Sequence, residues 1–280
     1  MTAVDPGIGT AAPAGTGYRD TVKQLAAAQK TAARGAPAYS RYVNRRLGRL
    51  LAALALRAGL GPNAVTAISA VFTFSGIALL TVFPPSGALG IGVALLLVVG
   101  YALDSADGQV ARMQGSGSPA GEWLDHMVDA VKTSALPLAL AVGLYRFGAV
   151  DRWWLLVPLA AAVISAVLFF SMILTEQLRR QHRLVSVAAP GNRSWVRSVL
   201  VVPMDYGVLC LSFAFYGVVP LFLAVYTLIV AATAGFLLLA SVKWFREISA
   251  FPPAPGRESR QRLPQPTEPT GSITGTGVPQ

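Results

Sequence analysis

The chain has 280 residues, 54% of them hydrophobic and 13% charged, and its mean hydropathy is +0.54. A soluble domain carries about 25% charged residues, so an ordinary soluble enzyme, a wholly disordered chain, a coiled coil and a disulfide scaffold are all excluded. The 23 Lys and Arg against 13 Asp and Glu give a formal charge of +10, which on so apolar a chain faces anionic lipid and not nucleic acid, and Cys210, the one cysteine, has no partner for an intrachain disulfide.

Met1 to Gly17 is rich in Ala, Gly, Thr and Pro. No basic stretch leads into an apolar core there, so it is not a secretory signal. Residues 1–38 read as a mostly disordered cytoplasmic tail. Residues 39–250 read as one membrane domain, and 251–280 as a second polar tail. Within Tyr39 to Ala58, Val43, Leu47, Leu50, Leu51, Leu54 and Ala58 fall on one helical stripe, with Arg41, Arg45 and Arg49 on the other face. A soluble helix packed on a neighbour would show the same pattern. This one runs straight into an apolar span, which favours a helix lying in the cytoplasmic interface with its arginines towards lipid phosphates.

Six apolar runs follow: Ala64–Phe83, Ala88–Leu103, Met127–Val150, Trp153–Leu174, Val199–Phe215 and Val218–Val242. A bilayer core about 30 Å thick takes about 20 helical residues. The second run is short and ends at Asp104, and the third starts among acids. Polar turns can complete both where they line a protein cavity. No strand alternation competes, so the fold expected is all-α: a polytopic membrane protein with six transmembrane helices after an amphipathic interfacial helix. Arginines crowd before the first span (Arg41, Arg45, Arg46, Arg49, Arg57) and between the fourth and fifth (Arg179, Arg180, Arg183, Arg193, Arg197), and Lys243 and Arg246 follow the sixth. The opposite loops hold Arg146 and Arg152. The positive-inside rule then puts both termini in the cytoplasm, with the protein multi-pass in the cell membrane.

Between the second and third runs stand Asp104, Asp107, Asp125 and Asp129. Acids in or beside membrane helices mark function. Asp104 and Asp107 are spaced i, i+3, and Asp125 and Asp129 i, i+4, so each pair shares a helix face. Four carboxylates at close quarters need cations. An all-oxygen set selects hard divalent ions such as Mg²⁺ or Mn²⁺, and two ions suit a phosphoryl displacement. Gly108 lets a backbone approach a phosphate closely, and Arg112 can hold one with two hydrogen bonds. Purely structural ion pairing is disfavoured, because only Arg112 and Lys132 stand near four negative charges.

Asp104-x2-Asp107-Gly108-x2-Ala111-Arg112-x8-Gly121-x3-Asp125-x3-Asp129 resembles the signature of the CDP-alcohol phosphotransferases at every fixed position. Pro62-Asn63-Ala64-Val65-Thr66 is similar to that family's entry to its first span. The resemblance covers the interfacial helix and the spans, about 200 residues in kind, and leaves out the tails. It implies that a hydroxyl attacks the β-phosphorus of a CDP-alcohol or CDP-diacylglycerol, CMP leaves and a phosphodiester forms in phospholipid synthesis. Asp104, Asp107, Asp125 and Asp129 would be metal ligands, with Asp129 also the base on the acceptor. Gly108 and Arg112 would bind the CDP moiety, with Asn63, Ala64, Val65, Thr66 and Ser118 completing the pocket. A homodimer in the bilayer is also implied.

The remaining polar residues keep alternatives open. His126, next to Asp125, points off the shared face and suits packing or support of the ligands. Lys132 suits a phosphate or charge balance equally. Glu122 reads as solvated or as a cap. Asp205 suits an acceptor group, or a pair with Arg193 or Arg197. Trp153, Trp154 and Trp244 read as interfacial anchors. Arg179 and Arg193 belong to a cluster that reads as a topology signal, a lipid-head site or a site for a phosphorylated acceptor, as in the branch making inositol-phosphate lipids. Gly121-Glu122-Trp123-Leu124-Asp125-His126 looks instead like the choline/ethanolamine branch, and the two indications conflict. An intramembrane prenyltransferase would also use Asp-bound Mg²⁺, yet it would not require Gly108, Ala111 and Arg112 in this register. A cation transporter would favour repeats and broken midplane helices, whereas no repeat is seen and the acids sit at one end of their spans.

Overall fold

A computed structural model describes residues 17–28, 37–182 and 205–251. These residues are helical, with no strand among them. The helices are α1 (Tyr18–Ala27), α2 (Arg45–Arg57), α3 (Pro62–Val82), α4 (Gly87–Gln114), α5 (Pro119–Arg146), α6 (Leu156–Gln181), α7 (Tyr206–Ser212) and α8 (Val219–Ser249). A π-helical turn, Ser40–Asn44, leads into α2, and short 3₁₀ turns precede α6 and follow α7.

Five helices are long and apolar enough to cross a membrane: α3, α4, α5, α6 with its preceding turn, and α8. The fifth expected run appears as the shorter apolar helix Tyr206–Phe215. Its first residues, 199–204, lie outside the described chain, so six spans are not established. The second and third expected runs are extended. α4 continues unbroken through Asp104 and Asp107 to Gln114, and α5 begins at Pro119, ahead of both its acids. No polar turn is needed there. The charged ends are simply helical.

Local chemistry sets the helix ends. The Ser118 hydroxyl accepts from the Gly121 N–H at 3.1 Å, with Pro119 at the first helical position of α5. Gly115 closes α4 at φ 61°, the left-handed region where a side chain costs energy. In the stretch expected to be mostly disordered, α1 forms a helix that docks on α2: Thr21 and Leu25 are buried, and the Tyr18 hydroxyl donates to the Leu50 carbonyl at 3.3 Å. The rest of residues 1–38, apart from Gly17, Ala28, Pro37 and Ala38, lies outside the described chain.

α3 packs closely on both α4 and α5, whereas α4 and α5 hardly approach each other. Small residues permit the close contacts. A Cβ on Gly100 would strike the Thr73 hydroxyl, and one on Gly48 would come within 2.8 Å of the Ser105 side chain. The Ser69 hydroxyl donates to the Gly100 carbonyl at 2.8 Å, and Asn44 to the Tyr101 carbonyl at 3.1 Å. α2 buries Gly48, Ala52, Ala53, Ala55 and Leu56 and leaves Leu50 and Leu54 exposed, as is Val43 in the turn before it. That exposed stripe is available to lipid, as an interfacial helix requires. One apolar cluster joins α3 to α8 around Leu97, Leu140, Phe213 and Phe222. A second holds Leu25, Ala52, Val65, Ala106 and Val110 at the other end. Along α4 the acid Asp104 falls between the two.

Candidate active site

The start of α3, the end of α4, the turn after it, the start of α5 and the end of α6 converge on a cavity of about 670 Å³. Its lining includes Asn63 and Thr66, then Asp107, Gly108 and Arg112, then Ser116 and Ser118, then Glu122 and Asp125, and finally Arg180. Of the residues expected to bind CDP, Asn63, Thr66, Gly108, Arg112 and Ser118 therefore share one wall. Ala64 and Val65 do not line it. Val65 is turned into the apolar cluster with α2 and α4, because neighbouring residues on a helix face different ways.

The four acids separate into two kinds. Asp107 and Asp125 line the cavity. Asp107 is buried and accepts from the Thr66 hydroxyl at 2.6 Å, which ties α4 to α3. Asp104 and Asp129 do not line the cavity and share a cation instead. The Lys132 ammonium donates to Asp104 Oδ1 at 2.6 Å and pairs with Asp129. The expected facing of the two acid pairs is thus realised across a gap, with a lysine between the inner two.

Three further polar residues take defined places. His126 does not turn away from the acids. Asp125, His126 and Asp129 each offer a ligand atom, and all these atoms lie within 4.8 Å of one another. The His126 ring also meets Phe169 edge-on, and its Nδ1 is buried without a hydrogen bond. Glu122 is not merely solvated: it pairs with Arg180 at 2.7 Å across the cavity rim. Asp205 is buried, with one oxygen accepting from the Gly207 N–H at 3.0 Å and the other from the Ser40 N–H at 2.9 Å. It caps α7 and fastens the π-helical turn. The pairing expected with Arg193 or Arg197 falls on residues outside the described chain.

Of the residues considered for the acceptor, Lys132 is engaged by the acids, and Arg179 holds Glu247 of α8 with two hydrogen bonds of 2.7 and 2.8 Å. Neither lines the cavity, nor does Asp205. Arg193 lies outside the described chain. The signals that locate Glu122 and Arg180 are contacts between distant segments, which helical periodicity does not carry.

The donor set of carboxylates with one imidazole fits a divalent metal ion. Asp125, His126 and Asp129 are the residues placed to hold one, with Asp107 turned to the same side as the cavity.

A family model described as CDP-alcohol phosphatidyltransferase matches residues 60–240. The chain is 39% identical over 105 residues to a phosphatidylinositol phosphate synthase of Corynebacterium glutamicum, a stretch that covers 38% of this chain and 41% of that relative. The likeness thus spans about two fifths of the relative's length.

Proposed function

The chain belongs to the CDP-alcohol phosphatidyltransferase family, and on that premise we propose that it transfers a phosphoryl-alcohol or phosphatidyl group from a CDP-alcohol to an acceptor hydroxyl, releasing CMP, in phospholipid synthesis. The observation that carries the reading is the cavity on which Asp107 and Asp125 open beside Gly108, Arg112, Asn63 and Ser118. The Arg112 guanidinium suits a diphosphate. Gly108 presents no side chain to hold it away; even an added Cβ there would meet only the tip of Arg112, at 3.4 Å.

In this reading the acceptor oxygen bonds to the β-phosphorus as the bond from that phosphorus to the CMP oxygen breaks. Asp129 takes the acceptor proton. Asp104, Asp107, Asp125 and Asp129 would hold Mg²⁺ or Mn²⁺, two ions in all. The metal would supply charge neutralisation at the phosphoryl oxygens. The protein's part is positioning, with Arg112 and Thr66 orienting the donor side.

The test is CMP release. Purified protein is given CDP-diacylglycerol with a panel of polar alcohols, and separately CDP-alcohols with diacylglycerol. Divalent-metal-dependent CMP in one arm supports the reading, and none in either arm sinks it. The reading also places the protein in the cell membrane with both termini cytoplasmic. Cysteines introduced at Ser86 or Ala149 should label from outside intact cells, and one at Ser186 should not. A homodimer, which the family resemblance implies, should appear as twice the chain mass in detergent.

A further inference from the structure

The acid cluster contains a cation that its role as a ligand set leaves unused. Lys132 is 5% exposed, so its ammonium is lodged in the protein and needs opposite charge there. It finds two carboxylates on two different helices. Asp104, on α4, accepts at 2.6 Å. Asp129 stands one turn before the lysine on α5 and also pairs with it. The backbones of α4 and α5 hardly approach, so the ammonium spans a gap that helix packing does not close. Lys132 does not line the nucleotide-sized cavity, and neither do the two acids it holds. With its ammonium hydrogen-bonded to Asp104 and its charge paired with Asp129, it is poorly placed to meet a phosphate entering from that cavity.

We propose that Lys132 is a positioning residue of the transfer: its ammonium pins Asp129 to Asp104 across the gap between α4 and α5 and so fixes the carboxylate that receives the acceptor proton. The role of Asp129 in that sentence rests on the proposed function. The placement of Lys132 does not.

The experiment uses the full chain with Lys132→Met, which keeps the stem and removes the charge. It reads kcat, both KM values and Mn²⁺ binding by electron paramagnetic resonance. Misplacing a reacting group by about 1 Å can cost about 10²-fold, so kcat should fall by about that factor while both KM values stay within about threefold. Mn²⁺ should bind at least about tenfold more tightly, because a positive charge has left the cluster. Two results overturn the proposal. A raised acceptor KM with kcat kept would make Lys132 a substrate-binding group. Loss of Mn²⁺ binding together with turnover would make it a strut of the bundle. Should Lys132→Met not fold, Lys132→Arg carries the same division, because it keeps the charge but spreads it over a planar fork. A lowered kcat with acceptor KM kept supports pinning, and the reverse overturns it. If the wild-type protein released no CMP in either substrate arm, the transfer reading would fail, while the Mn²⁺ titration would still decide whether Lys132 holds a cation's seat among the acids.

Discussion

α5 and α6 are neighbours of similar length, 28 and 26 residues, and they solve opposite problems. The most apolar stretch of α5 has a mean hydropathy of 1.4 and is 44% buried within the protein; that of α6 reaches 2.5 and is 11% buried. α5 carries Asp125, Asp129 and Lys132, and it stands against α3 and α6. α6 keeps its charges to Glu176, Arg179 and Arg180 in its last turns, where Arg179 pairs with Glu247 and Arg180 with Glu122. A helix that brings ionised groups towards the bilayer must be wrapped by protein, because lipid cannot solvate them. A helix fastened by salt bridges at one end can leave the rest of its surface to lipid.

If that contrast is right, substitutions should rank by helix and by face. The largest loss belongs to the acids proposed to hold metal. Asp125→Asn or Asp104→Asn should abolish measurable CMP release and weaken Mn²⁺ binding. Full activity of either variant in EDTA would break the two-metal reading. Asp129→Asn comes next. Removal of a general base costs about 10²–10⁴-fold, and donor binding should change by less than about tenfold, or about 1.4 kcal/mol, in a direct CDP-binding titration. Near-normal turnover at saturating metal would take the base role from Asp129.

A smaller effect, on stability, is expected at the α3–α4 seam. Gly100→Ala places a Cβ against the Thr73 hydroxyl and 3.2 Å from the Ser69 carbonyl, an overpacking that costs about 1–3 kcal/mol. The thermal midpoint in detergent should drop by several degrees. The smallest effect is predicted on the outer face of α6. Val163→Leu and Phe170→Leu, both at positions 64% exposed, should move stability by no more than about 0.5 kcal/mol. A drop from Phe170→Leu as large as that from Gly100→Ala would mean that this face meets another protein surface and not lipid.

Periodicity made much of this legible in advance. Acids at i, i+3 and i, i+4 share a helix face, yet the structure sets one of each pair, Asp107 and Asp125, on the cavity and leaves Asp104 and Asp129 off it. Apolar length announced the long helices. What stayed hidden was set by contacts between distant segments. Nothing in Glu122 or Arg180 names the other as its partner, and Lys132 offered phosphate binding and charge balance with equal force until Asp104 was seen beside it. α1 is ten residues long with only a few apolar side chains. Its stability comes from docking on α2, so its own sequence resembles that of a tail. A one-residue offset from Asp125 suggests that His126 faces away from the acids, and it does not. A long side chain on an adjacent position of the same turn still reaches its neighbours' ligand atoms.

The turn between α4 and α5 acts as a length standard. Met113 and Gln114 finish one helix, Gly115 to Ser118 reverse the chain, and Pro119 and Ala120 begin the next. These are the same positions that the sequence pattern leaves free in identity. They are not free in number. One residue added within either helix rotates everything beyond it by about 100° and advances it by about 1.5 Å, which would swing Asp125 off the cavity. One residue added to the reversal would loosen a wall that Ser116 and Ser118 help to form. The segment should therefore accept exchanges of side chain, such as at Ser116, far more readily than any insertion or deletion.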